Sequence, residues 1–215
     1  MADSEISRVL PAFSNRNMLS KVAQFLKNNL PSAVLSAPSA AIPTRRGDPA
    51  LSVWSEWYLA HGNATRLGRI QARLETKLFS KVPSLRLELS VGGREQTVTV
   101  RTEEEIERLL VGEDLAIVRA NAKAELSARR AVWQAADEKL GFSAAKDAEG
   151  KAMELDDDIA ERLWDTRALT LAGVIGKLHA MLAKGQPSHE SEEFPWPQIR
   201  SVVEDLISID AGTKH

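Results

Sequence analysis

Cysteine is absent from all 215 residues. The chain therefore has no disulfide framework, no thiolate metal site and no cysteine nucleophile. Aromatic residues are scarce, at 5% with a single Tyr, a composition that leans towards Ala/Leu-rich helix and away from aromatic-rich sheet. No stretch approaches the roughly 20 consecutive apolar residues of a membrane span, so no membrane partner is expected. An excess of one charge is missing too. Lys and Arg number 28 against 30 Asp and Glu, a net charge of −2, so the whole chain is not a polycation built for nucleic acid. What is present is 43% apolar and 27% charged residues, ordinary for a globular chain long enough to bury a core without staples.

Charge is uneven along the chain. Net charge is +2 over residues 1–44, +5 over 45–101, −2 over 102–146 and −7 over 147–215. Residues 1–47 carry four prolines and a small-residue run from Ser32 to Ala41. They are expected to form a flexible or loosely docked N-terminal arm with one short amphipathic helix between Ser20 and Leu30, stopped by Pro31. Arg16 and the stretch after it resemble a decayed twin-arginine export leader. A working leader needs two adjacent arginines and an uninterrupted apolar region, and Lys27, Asn28 and Asn29 break that region. The expected location is the cytoplasm.

A helical domain is expected over 48–210, followed by a short tail, 211–215. Asp48-Pro49 supplies an N-cap acceptor and a proline at the first helical position. Leu51, Trp54, Tyr58, Leu67, Ile70, Leu74 and Leu78 then recur at helical spacing, with a possible break at Gly62-Asn63 and an end near Lys81, before Pro83. Leu85, Leu87, Leu89 and Val91 alternate with polar residues. Gly92-Gly93 predicts a two-residue hairpin turn that pairs Leu89 with Gln96, Leu87 with Val98 and Leu85 with Val100. Thr102 with Glu105 forms a capping box opening a helix to Leu140, with Gly112 as a potential interruption and Gly141 as its stop. Phe142 to Glu154 reads as a connecting loop, and Asp156-Asp157-Asp158 as the start of the next helix. Further helices are expected from Thr166 or Thr170 to Lys184, and from about Pro197. The fold class is mainly α: an antiparallel helical bundle or long helical hairpin with a β-hairpin inserted at about 85–100.

The segments Trp164-Asp165-Thr166-Arg167-Ala168-Leu169-Thr170-Leu171-Ala172-Gly173-Val174 and Phe194-Pro195-Trp196-Pro197-Gln198-Ile199-Arg200 resemble uncharacterised α-proteobacterial helical proteins of the rhizobial type. The resemblance spans residues 48–210. Arg167 stands where members often have Pro. It implies a helical fold and brings no activity or functional residues.

No nucleophile elbow, phosphate-binding loop, dinucleotide fingerprint or His-Glu-x-x-His motif occurs. No catalytic residue, cofactor or metal site is assigned. His179 lies beside an apolar stripe with no second His at helical spacing, which reads as a satisfied core histidine. The three aspartates lack EF-hand spacing. Two features stand above background. Arg66, Arg69, Arg73 and Lys77 form a basic stripe about 16 Å long at 1.5 Å per residue, able to follow phosphates or an acidic helix, or to pair internally with Asp157, Asp158 and Glu161. No aromatic residue interleaves with the stripe. Trp196, held between two prolines, is either a partner anchor or a plug for the bundle end. The leading expectation is a non-enzymatic helical interaction or scaffold protein of unknown protein partner, with homo-oligomers allowed. The alternatives are a nucleic-acid accessory protein that uses the basic stripe, and an enzyme with an unrecognised site.

Overall fold

The side chain of Asp48 sets the entry to the longest helix. Its Oδ1 accepts from Ala50 N (2.8 Å) and Leu51 N (3.4 Å), satisfying amides that an open helix start leaves without partners. Pro49 is the first residue of the helix it caps. In the computed structural model, which describes residues 18–30, 47–90, 97–188 and 190–213, that helix is α2, Pro49–Phe79, preceded by α1, Met18–Asn29. The protein is mainly α with an inserted hairpin. The other elements are β1 (Leu87–Ser90), β2 (Thr97–Val100), α3 (Glu103–Leu109), α4 (Ala116–Leu140), α5 (Phe142–Asp165), α6 (Leu171–Gly185) and α7 (Trp196–Thr213). None of the described helices is long and apolar enough to cross a membrane.

The chain forms two compact units, a terminal unit of Met1–Gly62 with Glu154–His215 and a central unit of Asn63–Met153. Residues 48–210 are distributed over both. In the terminal unit, α6 packs against α1 and α7. Its core is built from Val22, Leu26, Trp54, Trp57, Leu163, Ile175, Leu182 and Val203, nearly all completely buried. Of the 1–47 segment, α1 is described, and Met18, Val22, Ala23 and Leu26 make the buried stripe that seats it. Gly176 lets the Trp54 indole lie against α6, since a methyl there would come within 3.2 Å of Trp54 Cγ.

Asp48 reaches further than its own helix. Its Oδ2 accepts from Leu169 N (2.8 Å), Thr170 N (2.6 Å) and Thr170 Oγ1 (2.7 Å). Thr170 in turn caps α6 through Gly173 N (3.2 Å). One carboxylate therefore serves the starts of two helices. Gly173 is a contact requirement, because a side chain there would run into the Asp48 carboxylate.

Several expectations need correction. Gly62-Asn63 does not break α2, which runs on to Phe79; Gly62 has no neighbouring atoms to crowd it. The predicted helix from Thr102 to Leu140 is two helices. Gly112 takes φ 119°, and Arg119 closes the break by donating to Leu110 O (2.5 Å) and Gly112 O (3.3 Å). The break changes the phase of α4. Ile117 is 77% exposed, and Ala122 with Leu126 faces the core. Residues 142–154 are helix, not loop. Gly141 turns the chain in the left-handed region (φ 72°), Asp137 Oδ1 accepts from Ser143 N (2.8 Å), and α5 begins at once. Its alanines outweigh Gly150, which weakens the helix by about 1 kcal/mol relative to Ala. The triple aspartate consequently lies inside α5 rather than at a helix start.

In the central unit, the hairpin pairs Leu87 with Val100, Leu89 with Val98 and Ser90 with Thr97. This is two residues away from the predicted register, and Gln96, the predicted partner of Leu89, lies outside the described residues. A shift of two preserves which face each side chain takes. Leu87 and Val100 still point inward, onto Ile106, Leu110, Ala122 and Leu126 of the α3 and α4 segments. The Thr102 capping box is present as expected.

Burial works against the Asp48 charge, but hydrogen bonds from Thr170, Leu169 and Ala50 prevail and hold its pKa below 3.8. A depressed carboxylate contributes stability that is present above the unfolded pKa and is lost as pH falls through the folded one. Asp48→Ala removes caps from two helices and is expected to destabilise by roughly 2–4 kcal/mol. Gly173→Ala is expected to act in the same direction. Both shifts are checked by thermal unfolding at neutral pH. Asp48→Ala should also flatten the wild-type loss of stability below pH 4.

Candidate functional site

The titratable groups buried in the terminal unit have structural assignments. His179 is 3% exposed. Its Nδ1 accepts from Trp54 Nε1 (3.2 Å), which leaves Nε2–H to donate to Leu19 O (3.1 Å). Both ring nitrogens are engaged, and the imidazole joins α1, α2 and α6. The rings of Trp54 and Trp57 meet it edge-on at 5.8 Å. Burial lowers its pKa to about 4; the bond to Leu19 opposes the shift and His61 adds to it. A neutral, doubly bonded imidazole has no free lone pair for general-base work or metal ligation.

The aspartates of α5 meet a lysine. Lys184 Nζ donates to Asp156 Oδ2 (2.8 Å) and Asp157 Oδ1 (2.5 Å), and His61 Nδ1 stands 3.3 Å from the same Asp156 oxygen. Burial opposes the Lys184 charge, but the two carboxylates outweigh it and keep its pKa above 10.5. Asp157 therefore has a partner other than the basic stripe. Among the described residues, no three His, Asp or Glu side chains are grouped to hold a metal ion.

Trp196 begins α7 with its ring against the end of α6. A methyl on Gly185 would come within 2.5 Å of Trp196 Cη2. The indole is half-buried on the terminal core beside Ile199, the position of a plug. Arg200, to which no role was assigned from sequence, is buried and donates to Ser191 O (2.8 Å) and Gln186 Oε1 (3.3 Å). It fixes the chain that leads into Trp196.

The surface of the central unit differs. Arg66 donates to Asn63 Oδ1 (2.9 Å). Arg69, Arg73 and Lys77 are exposed and have no partner among the described residues. Four of the five cations of α4 are paired: Arg119 and Lys123 with Glu107, Arg129 with Glu125, and Arg130 with Glu103 at 3.7 Å. An open cleft of about 640 Å³ lies on the same unit, lined by Phe79, Leu85, Arg86, Arg101, Arg130 and Trp133, with Val82 to Ser84 completing its wall.

Arg86 and Arg101 adjoin the last pair of the hairpin, Leu87 with Val100, and both line the cleft. Their guanidinium groups have no partner among the described residues. Backbone bonds pin their positions. Arg129 Nη1 donates to Ser84 O (3.1 Å) and Arg86 O (2.9 Å), and Arg130 Nη2 donates to Arg101 O (3.2 Å). Sequence periodicity alone does not find this group, because its members come from four separate segments. Leu85, expected opposite Val100, lines the cleft instead. No family model, curated protein or solved structure matches the chain.

The depressed His179 pKa has a direct consequence. Neutral His179 contributes stability that is fully present above pH 6.5 and declines as pH falls towards about 4. The loss across that window is expected to be roughly 3 kcal/mol. Urea unfolding at pH 7 and pH 4.5 measures it, and the His179 proton resonances should titrate well below those of a free histidine.

Proposed function

We propose that this chain is a non-enzymatic helical interaction protein whose central unit docks an anionic macromolecule. One observation carries the reading. Arg69, Arg73 and Lys77 project from α2 with no acidic partner among the described residues, whereas acidic side chains pair with four of the five cations of α4. Unpaired exposed cations in line give the fold little, because even a paired surface ion contributes only about 0–1 kcal/mol. Placed along a helix, they match the spacing of charges on a polyanion and draw it in by long-range attraction. The structural engagement of His179, Asp156 and Lys184 supports the non-enzymatic part, since these buried groups are occupied in holding helices together.

The test uses a generic polyanion. With a net charge of −2, the protein should be retained on immobilised heparin at low salt only if a local basic surface binds it, and salt should release it. Arg69→Glu/Arg73→Glu is expected to abolish retention without moving the thermal midpoint. Flow-through of the wild type at low salt would sink the reading.

A further inference from the structure

We infer that the cleft of the central unit binds single-stranded nucleic acid, taking a base against Phe79 and Trp133 and the flanking phosphates on Arg86 and Arg101. The inference rests on the polyanion reading above and names the partner and a second contact surface on the same unit.

Three properties of the cleft carry it. The first is a pair of arginines, Arg86 and Arg101, that line the cleft with no acidic partner among the described residues. Arg129 and Arg130 hold the backbone carbonyls beside them, so the two free guanidinium groups sit on fixed supports. Planar guanidinium forks match phosphate oxygens in pairs. The second property is the lining. Phe79 is 61% exposed at the cleft, and Trp133 lines it from α4. An apolar, aromatic floor below two cations suits a flat ring carrying a phosphate, whereas an acidic peptide would leave the aromatic surface unused. No Asp or Glu lines this cleft. Glu88 belongs to an adjoining hollow of about 440 Å³ that shares Ser84 and Arg86.

The third property sets strand against duplex and against free nucleotide. Aromatic faces can stack only on bases that are not already paired and stacked, so a duplex cannot use the floor. The basic stripe of α2 ends at Lys77, two residues before Phe79 and about 200° round the helix from it. A single nucleotide would leave Arg69 and Arg73 unused, but a strand that passes round the end of the helix has further phosphates to offer them.

The experiment measures anisotropy of a labelled oligothymidylate of about twelve nucleotides, within the range of known single-strand sites. The unlabelled strand, the matching duplex, polyglutamate and thymidine monophosphate serve as competitors. The strand should bind with strong salt dependence, and the duplex should compete about tenfold less well. Arg86→Glu/Arg101→Glu should weaken strand binding by about tenfold or more. Phe79→Ala removes an exposed ring and should weaken it by about five- to tenfold while leaving heparin retention unchanged, a split that a merely structural role would not produce. Retention on heparin together with equal strand and duplex affinity, or with both cleft variants unaffected, overturns the cleft assignment and leaves the polyanion reading standing. Displacement by polyglutamate as effective as by the strand assigns the site to an acidic protein. Displacement by the monophosphate at strand-like concentrations assigns it to a small ligand. Either result overturns the inference. Loss of both strand and heparin binding in the wild type removes both readings together.

Discussion

The Asp48 carboxylate accepts hydrogen bonds from five donors on two stretches of chain that lie more than a hundred residues apart in sequence. Through Oδ1 it starts α2, and through Oδ2 it holds the Leu169–Thr170 junction from which α6 starts. A buried carboxylate is costly unless its lone pairs are filled, and here they are filled by amides that also needed acceptors. Gly173 leaves room for the charge to sit against the first turn of α6. Once these two helix starts are joined, Trp54 reaches Gly176 and His179 two turns further along. The aromatic core of the terminal unit follows from that alignment.

His179 completes the same construction from the other side. A histidine between tryptophans invites a catalytic reading, but its two nitrogens join Trp54 to the backbone of α1. Protonation would set an N–H against the Trp54 N–H, so burial and bonding together favour the neutral ring. The terminal unit therefore uses its polar interior for alignment: Asp48 for helix starts, His179 for three-helix contact, and Lys184 for the aspartates of α5. Arg69, Arg73 and Lys77, exposed cations without acidic partners among the described residues, lie in the central unit.

The central unit shows how a register can differ while the faces stay the same. A shift of two residues in a strand pair keeps every side chain on its face, so the apolar side of the hairpin still covers Ile106 and Leu126. Beyond the last pair, Leu87 with Val100, stand Arg86 and Arg101, whose carbonyls accept from the arginines of α4 while their guanidinium groups have no acidic partner among the described residues.

Much of the architecture was legible in the residues themselves. The Asp48-Pro49 start, the Thr102 capping box, the Thr170 cap, the hairpin and the final helix at Trp196 follow from local rules of hydrogen bonding and side-chain periodicity, which act within a few residues. The long loop expected at 142–154 misled because polarity and Gly150 resemble a linker, whereas a left-handed Gly141 and the Asp137 side chain start a new helix within one turn. Apart from the break at Gly112 and the first half of α5, the sequence by itself determined which described segments are helical or extended and which of their faces are apolar, because those depend on spacing along the chain. Only the tertiary structure decided that Asp48 serves two helices, that His179 is fully bonded, and that Phe79, Arg86, Arg101 and Trp133 share one cleft. These depend on contacts between distant segments, and no period in the sequence encodes a contact distance.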